Sequence, residues 1–511
     1  MRVLFVYPKM QLNLAQGNTP PTAALSLASF IQREGHDVRI YERNIDKKSV
    51  SYAIEDFKPD VLVCTLMFMQ QIRDTQSVCR EIRSLRPDLP ILCGGLTASL
   101  LPELILKEGL ADYVGVAEGE YTLLELLEVA SGQRDPSTVR SLVYLDPNGQ
   151  PVHTPLRPFA DLGDFPKMDF SLLPMDKYFV YYPQAPRTLT VHAAKGCPGH
   201  CTFCFNAAYN RCRYRARGRE TVLREIETLA TEYGADGFIF IDELWGVNKE
   251  DLRAYCDEIA ALSEKLGRQL RWYCQTRIGV LDFEDLERMA RAGCFMIPFG
   301  MESGSPEILK RMQKGYPLKR LETDFNNCKA LGVGTIALAL FGFPGETPAQ
   351  IKQTVHTIFR LNPTIYSALL FTAIPGTAEY NRLVSSGRLT PPTDLAGWAR
   401  REDGRTMPAN YSAIPDRELK VIDSFFYWRM LFQNRGDRKT GRLDYVRMAL
   451  GRVADNIGRK GFFDFLFRQA GSVLRTAWYY YAYPGIRKKY DLYPRNFGRK
   501  DWEDLQHLDM E

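Results

Sequence analysis

The chain alternates short apolar segments with amphipathic helical segments in two separate stretches, and this pattern limits its fold more than any other feature. In the first stretch, helical patterns at residues 22–35, 70–85 and 98–108 separate five apolar runs. The runs are Val3–Tyr7, Asp37–Tyr41, Asp60–Thr65, Pro90–Cys93 and Tyr113–Val116. Strands that alternate with helices at this spacing indicate a doubly wound parallel sheet. We therefore predict a Rossmann-like α/β domain over residues 1–150.

The second stretch repeats the alternation further along the chain. Its strands are Gly237–Ile241, Arg271–Cys274, Phe295–Phe299, Thr335–Phe341 and Ala368–Thr372. Polar residues follow at the carboxyl ends of these strands, where parallel α/β sheets bind their ligands. We predict a linker over residues 151–187, a second α/β domain over 188–385 and a helical region over 386–511. Helical patterns in that last region cover 416–433, 444–457 and 461–481.

Three cysteines, Cys197, Cys201 and Cys204, lie within eight residues in a C-x3-C-x-Phe-C spacing. Three thiolates without a fourth suit an iron–sulfur cluster that leaves one iron open to a ligand. A structural zinc site or three unrelated buried thiols are the alternatives. Zinc sites made of cysteines usually pair two C-x2-C units, and this stretch has one. The other eight cysteines are scattered singly and are typical of small buried apolar residues.

Four motifs follow the cysteines in order: Phe-Ile-Asp-Glu (240–243), Gln-Thr-Arg (275–277), Gly-Met-Glu-Ser-Gly-Ser (300–305) and Gly-Phe-Pro-Gly-Glu-Thr (342–347). With the cysteine motif, residues 185–380 resemble the radical S-adenosylmethionine (radical SAM) family. The resemblance implies a partial (β/α)6 barrel and a [4Fe–4S] cluster on Cys197, Cys201 and Cys204. It also implies that SAM binds the open iron and is split to a 5′-deoxyadenosyl radical.

The residues of these motifs suit the parts of SAM. Asp242 and Glu243 can accept hydrogen bonds from an ammonium group, and Arg277 can pair with a carboxylate. Glu302 can accept from ribose hydroxyls, and the resemblance places Phe203 against the adenine. The expected SAM-binding residues are Phe203, Asp242, Glu243, Arg277, Gly300, Glu302 and Ser303.

The first domain, together with the radical SAM motifs, resembles the cobalamin-binding domain of B12-dependent radical SAM enzymes. The resemblance rests on the loop 18–24, the paired glycines after the fourth strand, the segment 114–120 and the linker segment 165–170. It implies that cobalamin contacts Thr65, Leu66, Gly94, Gly95, Glu118 and Gly119. No G-x-G-x-x-G dinucleotide fingerprint follows the first strand. The cobalt-ligating signature Asp-x-His-x-x-Gly is absent, so a domain of this fold that has lost B12 or binds another ligand is the alternative.

The composition gives expectations about partners and location. A net charge of +5 over 511 residues does not imply a nucleic-acid partner. Eleven cysteines without a signal peptide favour the cytoplasm. No run approaches the roughly 18 apolar residues of a membrane span, so we expect no transmembrane segment. The aromatic and basic stretch 478–489 is typical either of a helical cap or of a surface that admits a lipid-like substrate.

These observations predict a cobalamin-dependent radical SAM enzyme that methylates an unactivated carbon. A ring-forming enzyme similar to the anaerobic porphyrin cyclases, or a radical SAM enzyme without B12, is the second hypothesis. A non-catalytic sensor or scaffold is the third. The expected partners are a small-molecule or lipid-like substrate and a flavodoxin or ferredoxin as electron donor. Tyr273, Tyr366 and Glu346 are candidates to line the substrate cavity.

Overall fold

The structure, a computed structural model, describes residues 1–9, 19–401, 408–432, 477–479 and 481–492. The helix predicted over 444–457 lies outside these ranges, as do residues 461–476 of the helix predicted over 461–481. The helix predicted over 416–433 is present as Asp416–Phe432. In the described part of the chain, no helix is long and apolar enough to cross a membrane.

The first unit is a seven-stranded sheet with the order β2-β1-β3-β4-β5-β6-β7. Its strands are β1 Arg2–Tyr7, β2 Asp37–Glu42, β3 Val61–Thr65, β4 Ile91–Gly94, β5 Tyr113–Gly115, β6 Leu142–Leu145 and β7 Pro151–His153. The first five are parallel, as predicted, and β6 and β7 add an antiparallel edge. The order reverses direction between β1 and β3, which is where sheets of this kind place a ligand.

Helices cover both faces of this sheet. They are α1 Thr22–Arg33, α2 Val50–Phe57, α3 Ile72–Leu85, α4 Leu96–Leu100, α5 Pro102–Lys107 and α6 Glu120–Ala130. Val3 and Phe5 of β1 share one core cluster with residues of α1 and α6. Leu4 and Val6 share a second cluster with residues of α2, α3 and α5. Because successive side chains of a strand point to opposite faces, this division confirms the predicted doubly wound sheet.

The linker packs between the two units. It contains short 3-10 turns at Leu162–Asp164, Phe170–Leu172 and Met175–Lys177. The backbone N–H of Asp169 donates to Ser29 Oγ of α1 over 2.9 Å. The N–H of Met168 donates to Glu225 of the second unit over 2.8 Å. Phe165 lies against Phe30, with 5.6 Å between ring centroids. The linker therefore joins the two units into one continuous core.

The second unit is a curled seven-stranded sheet with the order β16-β15-β14-β13-β12-β9-β8. Its strands are β8 Val180–Tyr182, β9 Ala185–Val191, β12 Gly237–Phe240, β13 Arg271–Cys274, β14 Cys294–Glu302, β15 Gly334–Phe341 and β16 Ile365–Leu370. The six strands from β9 to β16 are parallel, which confirms the predicted partial (β/α)6 barrel. A small hairpin, β10 Ala194–Lys195 with β11 Arg215–Ala216, lies beyond the end of β9.

Five helices share the core cluster of the convex side of the second sheet: α8 Arg219–Thr231, α9 Lys249–Lys265, α10 Phe283–Arg291, α12 Leu318–Ala330 and α13 Pro348–Leu361. Two short helices follow strand-end loops, α7 Asn206–Tyr209 after the cysteines and α11 Pro306–Arg311 after β14. Three more follow the last strand: α14 Ala378–Ser385, α15 Leu395–Arg401 and α16 Asp416–Phe432, and a short helix, Pro484–Lys489, ends the described chain. Phe426 of α16 stacks on Phe341 of β15 at 5.3 Å.

Both sheets extend beyond the predicted domain boundaries. β7 begins at Pro151, after the boundary at 150, and β8 and β9 begin before the boundary at 188. The boundaries otherwise stay predictions. β8 and β9 were not predicted because their residues alternate only weakly in hydrophobicity, and Pro186 and Arg187 of β9 are exposed.

Candidate functional site

The carboxyl ends of the second sheet bring the cysteine loop and most of the predicted SAM residues to one edge. The cysteine loop follows β10 and ends at α7. Asp242 and Glu243 follow β12, Arg277 follows β13, and Glu302 is the last residue of β14. This edge is the candidate active site.

Hydrogen bonds from within the loop shape the path of the cysteines. Asn206 Oδ1 accepts from the N–H of Cys197 at 2.9 Å, and Asn206 Nδ2 donates to the carbonyl of Cys197 at 2.6 Å. The N–H of Gly199 donates to Cys197 Sγ at 3.3 Å. A Cβ on Gly199 would lie 3.3 Å from Cys197 Sγ and 4.0 Å from Cys201 Sγ, so this glycine lies between two of the thiols.

The three thiols interact electrostatically. Burial raises the pKa of Cys197 and raises that of Cys204 to about 11, and the neighbouring thiols add to both shifts. Arg277 lowers the pKa of Cys197, and Lys314 lowers that of both thiols. Iron needs the thiolate form, so these two cations favour the state that binds a cluster.

The donor set fits an iron–sulfur cluster better than a single ion. Its three donors are soft thiolates, partly buried, with cations beside them. Among the described residues, no three His, Cys, Asp or Glu side chains converge as one metal ion requires. Thiolates that bind separate irons of a cluster do not need to converge on one point.

The two acidic residues after β12 hold the cysteine loop in place. Asp242 Oδ1 accepts from the N–H groups of Ala193 and Ala194 at 2.8 and 2.9 Å. Asp242 is buried, which raises its pKa to about 7. Glu243 accepts from the N–H of Gly196 at 2.9 Å and from Asn210 Nδ2 at 3.1 Å. Both Glu243 oxygens and Asp242 Oδ1 accept from the protein, whereas Asp242 Oδ2 is buried without a hydrogen-bond partner among the described residues. The predicted role of both residues as acceptors for a SAM ammonium group stays a prediction.

A buried lysine that the sequence analysis missed completes the edge. Lys314 is only 7% exposed in its side chain, and its Nζ lies 3.0 Å from Glu302 Oε1. Burial lowers the pKa of Lys314, but the carboxylate of Glu302 and the Cys201 thiol outweigh burial and the net pKa is raised. Arg277 Nη2 donates to the carbonyl of Lys314. Lys314 lies in a turn, where Gln313 and Gly315 have positive φ. In the sequence, only the glycine at 315 indicates this turn.

The end of β14 is distorted at the Glu302–Lys314 pair. Glu302 has φ of +57°, a conformation that residues with side chains seldom adopt, and the register of β14 against β15 shifts between Gly300 and Glu302. A Cβ on Gly300 would lie 2.8 Å from Glu302 Oε1 and 3.3 Å from Lys314 Nζ. Gly300 thus permits a close approach, as predicted, and the group that approaches it is the ion pair.

The remaining predicted SAM residues differ in their exposure. Phe203 is partly buried against the second core cluster. Ser303 is fully buried, and its Oγ lies 3.0 Å from Thr354 Oγ1 and accepts from the N–H of Ser305. The Ser303 hydroxyl therefore anchors the loop to α13, which does not favour its predicted contact with SAM.

The predicted cobalamin residues form two groups. Thr65, Leu66, Gly94 and Gly95 lie together at the carboxyl ends of β3 and β4, where Thr65 pairs with Gly94. A Cβ on Gly95 would lie 2.7 Å from the Leu66 carbonyl oxygen, so only glycine fits there. Thr65 Oγ1 is buried and lacks a hydrogen-bond partner among the described residues.

The second group faces the other domain. Glu118 accepts two hydrogen bonds from Arg215, at 3.0 and 2.6 Å. Gly119 follows it and caps α6. A cobalamin contact for either residue stays a prediction.

Of the three residues predicted to line the substrate cavity, only Tyr273 lies on the concave face of the sheet. Tyr273 lies on the concave face, and its hydroxyl is 3.3 Å from that of Tyr182. Tyr366 packs on the convex side against Phe359 and Phe426, so its assignment to the cavity is wrong. Glu346 is fully buried and accepts from the N–H groups of its own loop, so it does not line a cavity either.

Glu346 should make stability depend on pH. Burial raises its pKa from 4.5 to about 8, so between these values the folded chain holds a proton that the unfolded chain has lost. The stabilisation that the protonated Glu346 contributes is therefore fully present below pH 4.5 and is lost as the pH rises through 8. We expect Glu346→Gln to match the wild type near pH 5 and to be the more stable protein above pH 8, by on the order of a few kcal/mol. Urea midpoints at both pH values measure this, and an equal difference at the two would contradict it.

A parallel half-barrel with three thiols at its carboxyl edge, packed on a doubly wound domain, defines a two-domain α/β enzyme. Residues 191–358 match the Radical SAM superfamily, and residues 10–127 match the B12 binding domain family. The chain therefore combines a B12-binding domain with a radical SAM domain. This confirms the predicted class of both domains, and with it the cofactor set of a [4Fe–4S] cluster, SAM and cobalamin.

Similar proteins cover most of the chain. An uncharacterized methyltransferase of Pyrococcus horikoshii is 26% identical over 396 residues, 76% of this chain and 84% of the relative. The anaerobic magnesium-protoporphyrin IX monomethyl ester cyclase of Rubrivivax gelatinosus is 26% identical over 397 residues, 75% of this chain and 70% of the relative. The hopanoid C-3 methylase of Methylococcus capsulatus is 23% identical over 386 residues, 74% of this chain and 70% of the relative.

Two solved structures share the fold. The methyltransferase TsrM from Kitasatospora setae, with cobalamin and a [4Fe-4S] cluster bound, has a TM-score of 0.66 at 19% identity and covers 88% of this chain and 99% of its own. The radical enzyme OxsB, with aqua-cobalamin bound, has a TM-score of 0.71 at 15% identity and covers 98% and 80%.

Proposed function

We propose that this chain is a cobalamin-dependent radical SAM methyltransferase that acts on an unactivated carbon. The observation that carries the proposal is the direct contact between the cysteine loop's hairpin and the B12-binding domain. A reaction that uses two cofactors in turn needs their sites close together and held in a defined orientation.

Ion pairs of Arg215 and Lys195 make this contact, including a third and longer one between Lys195 and Glu118 at 3.8 Å. Arg215 of β11 pairs with Glu118 at 2.6 Å, and both side chains are nearly buried. Lys195 of β10, two residues before Cys197, pairs with Glu120 of α6 at 2.8 Å. The hydroxyl of Tyr209, in the helix that ends the cysteine loop, donates to the carbonyl of Ala117 at 2.9 Å. The loop 117–120 thus ties the first domain to both sides of the cysteine loop.

The chain's own residues position the reactants. We assign the cluster to Cys197, Cys201 and Cys204, with Asn206, Asp242 and Glu243 holding their loop. We assign SAM to the edge formed by Arg277 and Glu302, and cobalamin to the edge formed by Thr65 and Gly95. When bound, the cluster and SAM supply a carbon-centred radical, and the cobalamin supplies a methyl group.

Methylation has support from the relatives whose names include methyltransferase or methylase. Ring formation is the second candidate function, because three relatives are named magnesium-protoporphyrin IX monomethyl ester cyclases. The two differ in product mass, since methylation adds a carbon and ring formation does not. We further propose a small-molecule substrate and a flavodoxin or ferredoxin as the source of electrons.

The experiment that tests the proposal uses the reconstituted full chain under anaerobic conditions. After loading with hydroxocobalamin and desalting, we expect cobalamin absorption to remain beside the broad iron–sulfur absorption. With a reductant and SAM carrying a labelled methyl group, we expect 5′-deoxyadenosine and transfer of the label to a carbon of the substrate. Loss of all cobalamin on desalting, or a product without added carbon, would reject the methyltransferase proposal.

Lys314 should raise the reduction potential of the cluster. A cation in a buried position stabilises the extra electron of the reduced state, and Lys314 acts on all three thiols. We expect Lys314→Met to lower the midpoint potential by on the order of tens of millivolts. Potentiometric titration without SAM measures this.

Two further variants serve as controls for the change in reduction potential. Lys314→Arg keeps the charge and should keep the potential. Lys314→Met combined with Glu302→Gln removes both charges of the pair, so most of the potential should return. An unchanged potential in Lys314→Met would contradict the electrostatic role.

A further inference from the structure

Two aromatic residues near the end of the described chain are strongly exposed. Trp478 is 65% exposed and Tyr481 is 61% exposed, more than any other large hydrophobic side chain in the described part of the protein. Residues 477–479 and 481–482 are helical, and side chains three positions apart lie on the same side of a helix. The two rings therefore form one outward-facing pair. Open aromatic rings that lie side by side are typical of an interaction surface.

The other side of this segment anchors it to α16. Tyr479 and Tyr483 stack on each other with 6.0 Å between ring centroids, and both pack against the protein core. The guanidinium carbon of Arg417, in α16, lies 5.6 Å from the ring centroid of Tyr483, and Lys420 Nζ lies 5.9 Å from that of Tyr479. The segment is thus held by its inner rings, which leaves Trp478 on the outside.

Ion pairs fix the end of the segment as well. Lys489 Nζ lies 2.8 Å from Glu418 Oε2 of α16, and Asp491 Oδ2 lies 2.7 Å from Lys352 Nζ of α13. Tyr490, which lies between the two paired residues in sequence, is fully buried. The exposed aromatic pair is therefore presented by a segment that is already in place, so a partner that binds it does not have to order it first.

Cations without carboxylate partners lie on the same two segments. Among the residues that the structure describes, Arg417, Lys420 and Lys488 form no ion pair. Of the carboxylates described in residues 408–432 and 477–492, Asp416 alone is classed as exposed. Outside the ion pairs the surface is therefore mainly positive, and it complements an anionic partner. We call it the aromatic–basic surface and define it by Trp478, Tyr481, Arg417, Lys420 and Lys488.

The composition of the aromatic–basic surface suits the boundary between a lipid bilayer and water. Trp and Tyr are enriched at that boundary because each joins an apolar ring to one polar group. Two of the three unpaired cations are lysines, which are depleted in protein–protein interfaces but common on the polar side of helices that lie on a membrane. Each cation close to an anionic lipid surface adds to the attraction.

We propose that the aromatic–basic surface docks the protein on the surface of a membrane that contains anionic lipids. The rings of Trp478 and Tyr481 insert at the level of the lipid headgroups, and Arg417, Lys420 and Lys488 face the lipid phosphates. This docking goes beyond the proposed function and does not depend on it, because the surface is built from residues outside the cluster and cofactor sites.

The test measures co-sedimentation of the reconstituted full chain with vesicles of phosphatidylcholine and phosphatidylglycerol, and with vesicles of phosphatidylcholine alone. We expect binding to the anionic vesicles, and binding to the neutral vesicles that is about tenfold weaker or more. Trp478→Ser should weaken binding to the anionic vesicles about tenfold. Lys488→Gln should weaken it roughly fivefold.

Two variants outside the surface serve as controls. Tyr52 of α2 is 43% exposed and has Lys48 Nζ 3.6 Å from its ring centroid, so Tyr52→Ser removes an exposed aromatic beside a cation in the other domain. Lys265→Gln removes one positive charge from an exposed side chain of α9, as Lys488→Gln does from this surface. Both controls should bind the anionic vesicles like the wild type. Because Trp478 is mostly exposed, its replacement leaves no buried cavity, and equal urea midpoints would show that the fold is kept.

The absence of wild-type binding to anionic vesicles would overturn the proposal, as would unchanged binding by Trp478→Ser. An equal loss in Trp478→Ser and Tyr52→Ser would also overturn it, because the binding would then be non-specific. If the wild type bound a single-stranded oligonucleotide but not the vesicles, the surface would belong to another class of partner and the proposal would be wrong.

Discussion

Replacing Cys201 with alanine should eliminate the iron–sulfur cluster and reduce 5′-deoxyadenosine formation to background. Two thiolates cannot hold the cubane at three of its irons, and the remaining loop offers no other soft donor at this spacing. Cobalamin binding should be unaffected, because the residues assigned to it lie in the first domain. Iron and sulfide content, the absorption spectrum and product formation from SAM measure the effect.

Cys212 provides the matched control for this variant. It is partly exposed and close enough to Cys201 for the two thiols to affect each other, and burial raises its pKa. We expect Cys212→Ala to keep the cluster and SAM cleavage, since the motif holds the cluster through three cysteines. Cluster loss in Cys212→Ala, or 5′-deoxyadenosine from Cys201→Ala, would show that the assignment of ligands is wrong.

Replacing Arg217 with methionine should destabilise the protein by about 3–5 kcal/mol, because it leaves a buried carboxylate without its partner. Arg217 and Glu225 are 4% and 2% exposed in their side chains and form two hydrogen bonds of 2.8 and 2.6 Å. Arg217 also donates to the carbonyl of His192, at the end of β9. The pair therefore joins the barrel, α8 and the linker. Urea denaturation of the full chain measures the loss.

A neighbouring ion pair on the same helix gives the control. Glu227 of α8 pairs with Lys265, but these side chains are 41% and 69% exposed. We expect no measurable change in the free energy of unfolding in Lys265→Met. Arg217→Met combined with Glu225→Met should recover part of the loss, because no unpaired charge then stays buried. A loss of the same size in both single variants would contradict the argument from burial.

The strand positions were predictable where apolar runs are continuous. The parallel strands β1 and β3 are buried on both faces, so their sequences show the run directly. The antiparallel strands β6 and β7 have only four and three residues, and β7 at the edge of the sheet has no buried residue, so their sequences lack this signal. The last barrel strand was predicted at 368–372 and lies at Ile365–Leu370.

The hydrogen-bond and ion-pair partners of the acidic residues could not be predicted from the sequence motifs. Asp242 and Glu243 were predicted to contact SAM, and the structure shows that Asp242 accepts hydrogen bonds from the backbone at the start of β10 and Glu243 from the cysteine loop. Glu118 was predicted to contact cobalamin, and it pairs with Arg215 of the other domain. In each case a carboxylate near a binding edge was predictable, but its partners lie 33 to 97 residues away in the chain.

The sequence by itself determined the two α/β units, their classes and the three cysteines, because hydrophobic periodicity and short motifs are local properties of the chain. Only the tertiary structure decided which charges meet. Lys314 gains its role from a turn that folds back on β14 and puts its Nζ 3.0 Å from Glu302 Oε1. Such contacts join residues that are distant in sequence, so no local pattern specifies them.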